Sequence, residues 1–167
     1  MMIFKPKKHS TNLYNTLLFL SRNIFFYKNL QFNDSYESRI YLMFFHYSII
    51  LIILKERKIK PDQENYDNLF FHIENNLREM GFGDVSVNKK MKDLNKIFYD
   101  ILIKLNSELS GFKLSRTLSI KYFDKLSDNV KYWDNFNHYF EDFYKFCFEI
   151  PTNNMIEVLQ SYKYGSS

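Results

Sequence analysis

Alanine is absent from this chain of 167 residues, although it has the best intrinsic helix propensity of the amino acids. Phe, Tyr, Ile, Lys and Asn fill its place, which reads as compositional drift of the source genome. Helices must therefore be argued here from periodicity and not from propensity. Cysteine occurs once, at Cys147, which excludes an internal disulfide and leaves no cysteine pair for a zinc site. Set between Phe146 and Phe148, that thiol reads as a core residue. Four glycines and three prolines leave little material for long loops. No stretch alternates apolar and polar residues for long enough to propose a sheet. Also missing are His-x-x-x-His, His-Glu-x-x-His and Gly-x-Ser-x-Gly, and Gly81-Phe82-Gly83 lacks the strand and third glycine of a nucleotide loop. His138 is the only conceivable base near Cys147 in sequence, so no catalytic constellation emerges. The expectation is a protein that is not an enzyme and holds no cofactor or metal.

What is present suffices for a core. Hydrophobic residues make up 46% and aromatics 19%, and a domain of this size buries about two-thirds of its unfolded surface. The net charge of +4, with a pI near 9.0, has two readings. One is lysine-rich solvated faces; the other is attraction to anionic lipid or to RNA such as that of the ribosome. Met1 to Lys8 is basic, but no apolar signal region follows it. A reducing, cytoplasm-like compartment is expected, with residues 1–9 a flexible basic N-terminus and residues 10–163 one helical domain.

Ser10 is placed to cap a first helix with Leu13, Leu17, Leu20 and Ile24 on one face, running out around Tyr27. Residues 28–33 read as a loop, and Asp34 with Glu37 imitates a capping box. Residues 40–54 are the most apolar stretch and fall short of the roughly twenty that a membrane span needs. Apolar residues lie on nearly all sides of it, as in a central buried helix. Lys55, Arg57 and Lys58 supply cations at its C-terminal end, where the helix dipole favours them. Pro61-Asp62 opens the next helix, whose Tyr66, Leu69, Phe70, Ile73, Leu77 and Met80 share a face. After a loop from Ser107 to Ser115 and a short helix from Leu114 to Phe123, Asp128 is expected to start a last strong helix. Val130, Trp133, Phe136, Phe140, Phe143, Tyr144 and Cys147 share its buried side, and Pro151 closes it. Thr152 is the expected cap of a short final helix. The sum is an all-α, single compact domain of about six or seven helices.

The chain turns on residues 77–91, Leu-Arg-Glu-Met-Gly-Phe-Gly-Asp-Val-Ser-Val-Asn-Lys-Lys-Met. Gly81 stops one helix, because a left-handed residue costs glycine no clash. Gly83 allows a second turn, and Ser86 is placed to cap the next helix. Val87, Met91, Leu94, Phe98, Ile101 and Leu105 form that helix's apolar face. This stretch, with Lys92 and the Phe98-Tyr99 pair, resembles the ubiquinol–cytochrome c chaperone family, with Phe82 where the family shows valine. Arg22, Phe26-Tyr27, Asp34-Ser35, Arg39 and Phe45-His46 extend the resemblance. Ser38 departs from the family's glycine and Phe45 from its leucine. The similarity covers about residues 13–102.

The resemblance implies a non-enzymatic assembly chaperone for newly made cytochrome b of the respiratory ubiquinol–cytochrome c reductase (complex III). It implies work at the inner face of the cytoplasmic membrane in a bacterium, or in the mitochondrial matrix otherwise; the lack of a transit-like extension favours the bacterium. Other expected partners are the ribosome or an anionic membrane surface and an assembly-factor subunit, with no specific DNA. The rival reading is a basic helical module that docks on ribosomal RNA or anionic lipid without a client. The candidate client- or partner-binding residues are Asp34, Arg39, His46, Arg78, Glu79, Met80, Phe82, Asp84, Lys89, Lys90, Met91, Lys92 and Tyr99. Among them Asp34, Arg39, Arg78, Glu79 and Asp84 either pin two helix junctions together or bind. His46 reads first as a buried, hydrogen-bonded histidine, and Met80 and Met91 as core or adaptable surface residues. Lys89, Lys90 and Lys92 read as a solvent-facing cationic patch, with a groove around Met80, Phe82 and Trp133 as the alternative contact.

Overall fold

The computed structural model describes residues 12–105 and 112–164. The basic N-terminus, the Ser10 cap, the loop around Gly111 and the last three residues lie outside these. Everything else is organised on one long helix, α3 (Tyr36–Glu56). Ser35 begins it by accepting from the Ser38 amide at 3.2 Å, so the expected Asp34–Glu37 capping box is not what forms. With Ser35 in the capping role, the Asp34 carboxylate is free for another partner.

α3 is apolar on nearly every side because it has neighbours on nearly every side. It packs against α1 (Asn12–Ser21), α5 (Asp84–Leu105) and α7 (Val130–Glu149). At 21 residues α3 is longer than the expected 40–54 and is long and apolar enough to cross a membrane, so its length does not exclude a span. What holds it inside the domain is packing: Leu42 to Ile50 is buried without interruption. α4 (Gln63–Glu79) lies on α5 and α1, and the short α8 (Met155–Leu159) lies on α1. α6 (Arg116–Tyr122) leads into a 3₁₀ turn at Asp124–Ser127 that leans on α7.

The core is largely aromatic, as the composition demands. Phe26, Phe45, Phe123, Phe136 and Phe140 meet edge-on or tilted at centroid distances between 4.9 and 6.4 Å, an arrangement that suits their quadrupoles. A second group, Phe44, Tyr47, Tyr66, Phe70 and Phe98, joins α3 to α4 and α5. Between α3 and α7 sits His46, wholly buried. Its Nδ1 lies 2.6 Å from the Leu42 carbonyl and its Nε2 2.7 Å from the Tyr139 hydroxyl. A carbonyl only accepts, so Nδ1 carries the proton and Nε2 accepts from Tyr139. Burial pushes the imidazole pKa down to about 3, against a smaller raising effect of the Leu42 bond. Cys147 is likewise buried, and burial raises its thiol well above the ordinary range.

Several local expectations are corrected. The first helix breaks at Arg22-Asn23, because the Asn23 side chain caps a separate α2 (Ile24–Lys28). Ile24, expected inside, is consequently 69% exposed. α7 starts two residues beyond Asp128, at Val130, capped by Asn129, and leaves Val130 outside while burying Tyr139. Thr152 opens a 3₁₀ turn and makes no cap hydrogen bond. Its hydroxyl instead accepts from Arg57 at 2.8 Å, and Arg57 also donates to the Phe148 carbonyl at 2.7 Å. The Arg57 guanidinium thereby satisfies backbone acceptors where α7 ends.

Candidate functional site

α4 and α5 are joined at residues 80–83 by the turn the glycines foretold. Gly81 has φ +95°, a backbone state that favours glycine. Gly83 does not share it. Its carbonyl accepts the Val87 amide at 2.9 Å, so α5 begins at Asp84. Ser86 lies inside the first helical turn and caps nothing. Arg78 reaches across the turn to Asp84, and its other amino group lies 3.2 Å from Glu74. These bonds raise the guanidinium pKa.

The charged cluster is two separate clasps and not one network. Arg39 donates to Asp34 Oδ1 from Nε at 2.9 Å and from Nη2 at 2.5 Å, and this bond raises its pKa. That clasp fixes the entry to α3; the Arg78 clasp fixes the hinge. Both stand in solvent, so they orient the junctions more than they stabilise them. Glu79 belongs to neither and faces a cleft.

Two clefts flank the hinge. One, about 310 Å³, is lined by Tyr14, Leu18, Arg22, Arg39, Met43 and Glu79. The other, about 240 Å³, is lined by Glu37, Tyr41, Leu77, Phe82, Lys90 and Ile97. Tyr36, Ile40 and Met80 line both. The Tyr36 hydroxyl donates to the Ile73 carbonyl at 3.2 Å, which holds the dividing ring in place. Met80 is 54% exposed and unbranched, so it can adapt its shape to what it meets. Lys90 lies over the Phe82 ring at 4.6 Å, a cation–π contact that draws it toward the second cleft. The floors are apolar, and both signs of charge stand at the rims.

The predicted residues thus divide. Asp34, Arg39, Arg78, Glu79, Met80, Phe82, Asp84 and Lys90 gather at the hinge end. Lys89 and Lys92 are exposed on another side of α5, apart from Lys90. Tyr99 is half-exposed along the same helix, Met91 is partly buried, and His46 is sealed in the core with no surface to offer. Trp133 lines neither cleft; the aromatic wall comes from Tyr36 and Tyr41 of α3 instead. Those tyrosines and Tyr14 were missed by sequence reasoning, and Arg22, noted for the resemblance, was not counted among the binding residues. Tyr36 carried one usable signal: it follows the capping Ser35 and so had to project from the first turn.

Fold and clefts define an all-α domain whose open, apolar, charge-rimmed surfaces suit holding another molecule. Among the described residues no group of His, Cys, Asp and Glu could hold a metal ion. The family model for the ubiquinol-cytochrome C chaperone matches residues 28–124, more than half of the chain, and the protein belongs to that family. The match starts later than the resemblance at residues 13–102 and extends further, through α6. It takes in the hinge, α3, α4 and α5, and leaves Arg22, Tyr14 and α7 outside. No curated protein and no solved structure matches the chain.

Proposed function

We propose that the protein is a non-enzymatic assembly chaperone of ubiquinol–cytochrome c reductase, and that its client is newly made cytochrome b. Family membership supports the assembly role. The observation that carries the client reading is the pair of clefts divided by Tyr36 and Met80. A membrane protein not yet inserted or assembled presents apolar side chains next to polar loops, and an adaptable apolar floor with a charged rim complements both. The protein works where such a client emerges, at the inner face of the cytoplasmic membrane in a bacterium or in the mitochondrial matrix in a eukaryote.

Co-purification from native membranes tests this. Newly made cytochrome b retained at physiological salt is the expected result. Recovery of only RNA or lipid, lost as salt rises, contradicts it, because phosphate contacts weaken steeply with salt.

A further inference from the structure

The outward side of α5 carries a second surface that the clefts do not use. Val85, Lys89, Lys92, Lys96, Tyr99 and Ile103 follow one another at alternating intervals of four and three residues, and all are exposed. Val85 is 86% and Ile103 65% exposed, although both are fully apolar. At 1.5 Å per residue the stripe is about 27 Å long, with its three lysines spread over about 10 Å of the middle. Ile97 and Lys90, which line the hinge cleft, lie on the other side of the helix.

None of the three lysines has an ion pair among the described residues. The nearby Asp100 cannot serve them, because Lys104, Lys121 and Tyr122 already hold its carboxylate at 2.7, 2.9 and 2.5 Å. Asp93, within a helical turn of Lys89 and Lys96, is one carboxylate against three lysines on this part of α5. The row is therefore net cationic, with an apolar contact at each end.

That order discriminates between occupants. A helix lying in a membrane surface carries its apolar residues along the centre line and its lysines on the flanks, whereas here the lysines occupy the centre line and the apolar residues only its ends. A nucleic-acid strand would use the lysines and Tyr99 but would have no use for Val85 and Ile103. A helix laid side by side, meeting α5 at four- and three-residue intervals, uses all six. We infer that the Val85–Ile103 stripe of α5 is the docking surface for an amphipathic helix of a partner protein, acidic in its middle and apolar at its ends. This partner is distinct from the client held at the hinge.

The test uses the full chain and fluorescence anisotropy. The probe is a synthetic labelled helical peptide of α5's length, with leucines at the ends of its stripe and glutamates in the middle. A twin with lysines in the middle, polyuridylate RNA and phosphatidylglycerol vesicles are measured beside it. Binding of the glutamate peptide at physiological salt, ahead of the other three, is expected. K89E/K92E/K96E should weaken it by at least about tenfold and transfer preference to the lysine twin, since interfacial charge sets partner choice. V85S/I103S should weaken it while keeping its salt dependence. The milder K89Q/K92Q/K96Q serves if the reversed variant melts early. No binding of the glutamate peptide, or equal binding by parent and charge-reversed chain, overturns the inference. So does lysine-dependent binding of RNA or vesicles ahead of the peptide, which would assign the row to phosphate. Met80 and Phe82 are untouched throughout, so this result and that for the client are independent.

Discussion

Tyr139→Phe removes a single hydroxyl and leaves the shape of the core unchanged. The His46 Nε2 then loses its donor at 2.7 Å in a place where neither residue is exposed. A buried acceptor stripped of its partner costs about 1–3 kcal/mol. For a domain near this size that lowers the melting temperature by roughly 3–10 °C. The same histidine sets an acid limit. Unfolded, it titrates near 6.5; folded, burial holds it near 3. Below pH 6.5 the unfolded chain takes up a proton that the folded one refuses. Stability is therefore complete above that pH and is lost on acidification toward 3, by up to about 1.4 kcal/mol per pH unit. Between about pH 6.5 and 5 most carboxylates remain ionised in both states, so His46 dominates the slope. Urea unfolding followed by circular dichroism across this window measures both effects. His46→Leu should flatten the slope. A Tyr139→Phe variant that melts like the parent, with a slope indifferent to His46→Leu, would refute the reasoning.

Gly81→Ala forces a side chain into φ +95° with nothing within 4 Å to clash, so the cost is backbone strain alone, about 1–2 kcal/mol in urea unfolding. Arg39→Ala should cost under about 1 kcal/mol, because the guanidinium and Asp34 are 35% and 65% exposed. The difference from the parent should shrink in concentrated salt, where surface charges are screened. Arg78→Ala should behave in the same sense, read as a small fall in melting temperature.

The buried helices were legible because their apolar residues recur at helical intervals. α3, α4, the Gly81 turn and the inner face of α5 all follow from that period. Caps were harder to place, since several neighbouring side chains could do the same job. Ser35 displaced Asp34, Asp84 opened the helix before Ser86, and Asn23 split the first helix unseen. The lysines show a second kind of error. Lys89, Lys90 and Lys92 are adjacent in sequence, but a hundred degrees per residue sends Lys90 to Phe82 and puts Lys96 in line with the others. The clefts were only half legible. Met80 and Phe82 were evident at the hinge, whereas Tyr36 and Tyr41 reach them through the packing of α3, which no local pattern reports.

The central claim is that the hinge-end clefts hold newly made cytochrome b. A photo-crosslinking amino acid at position 80, with a second chain labelled at the equally exposed Phe148 of α7, tests it in cells assembling complex III. The account predicts a crosslink from position 80 to newly made cytochrome b and none from position 148. A crosslink from 148 alone, or from neither while assembly proceeds normally, would contradict it.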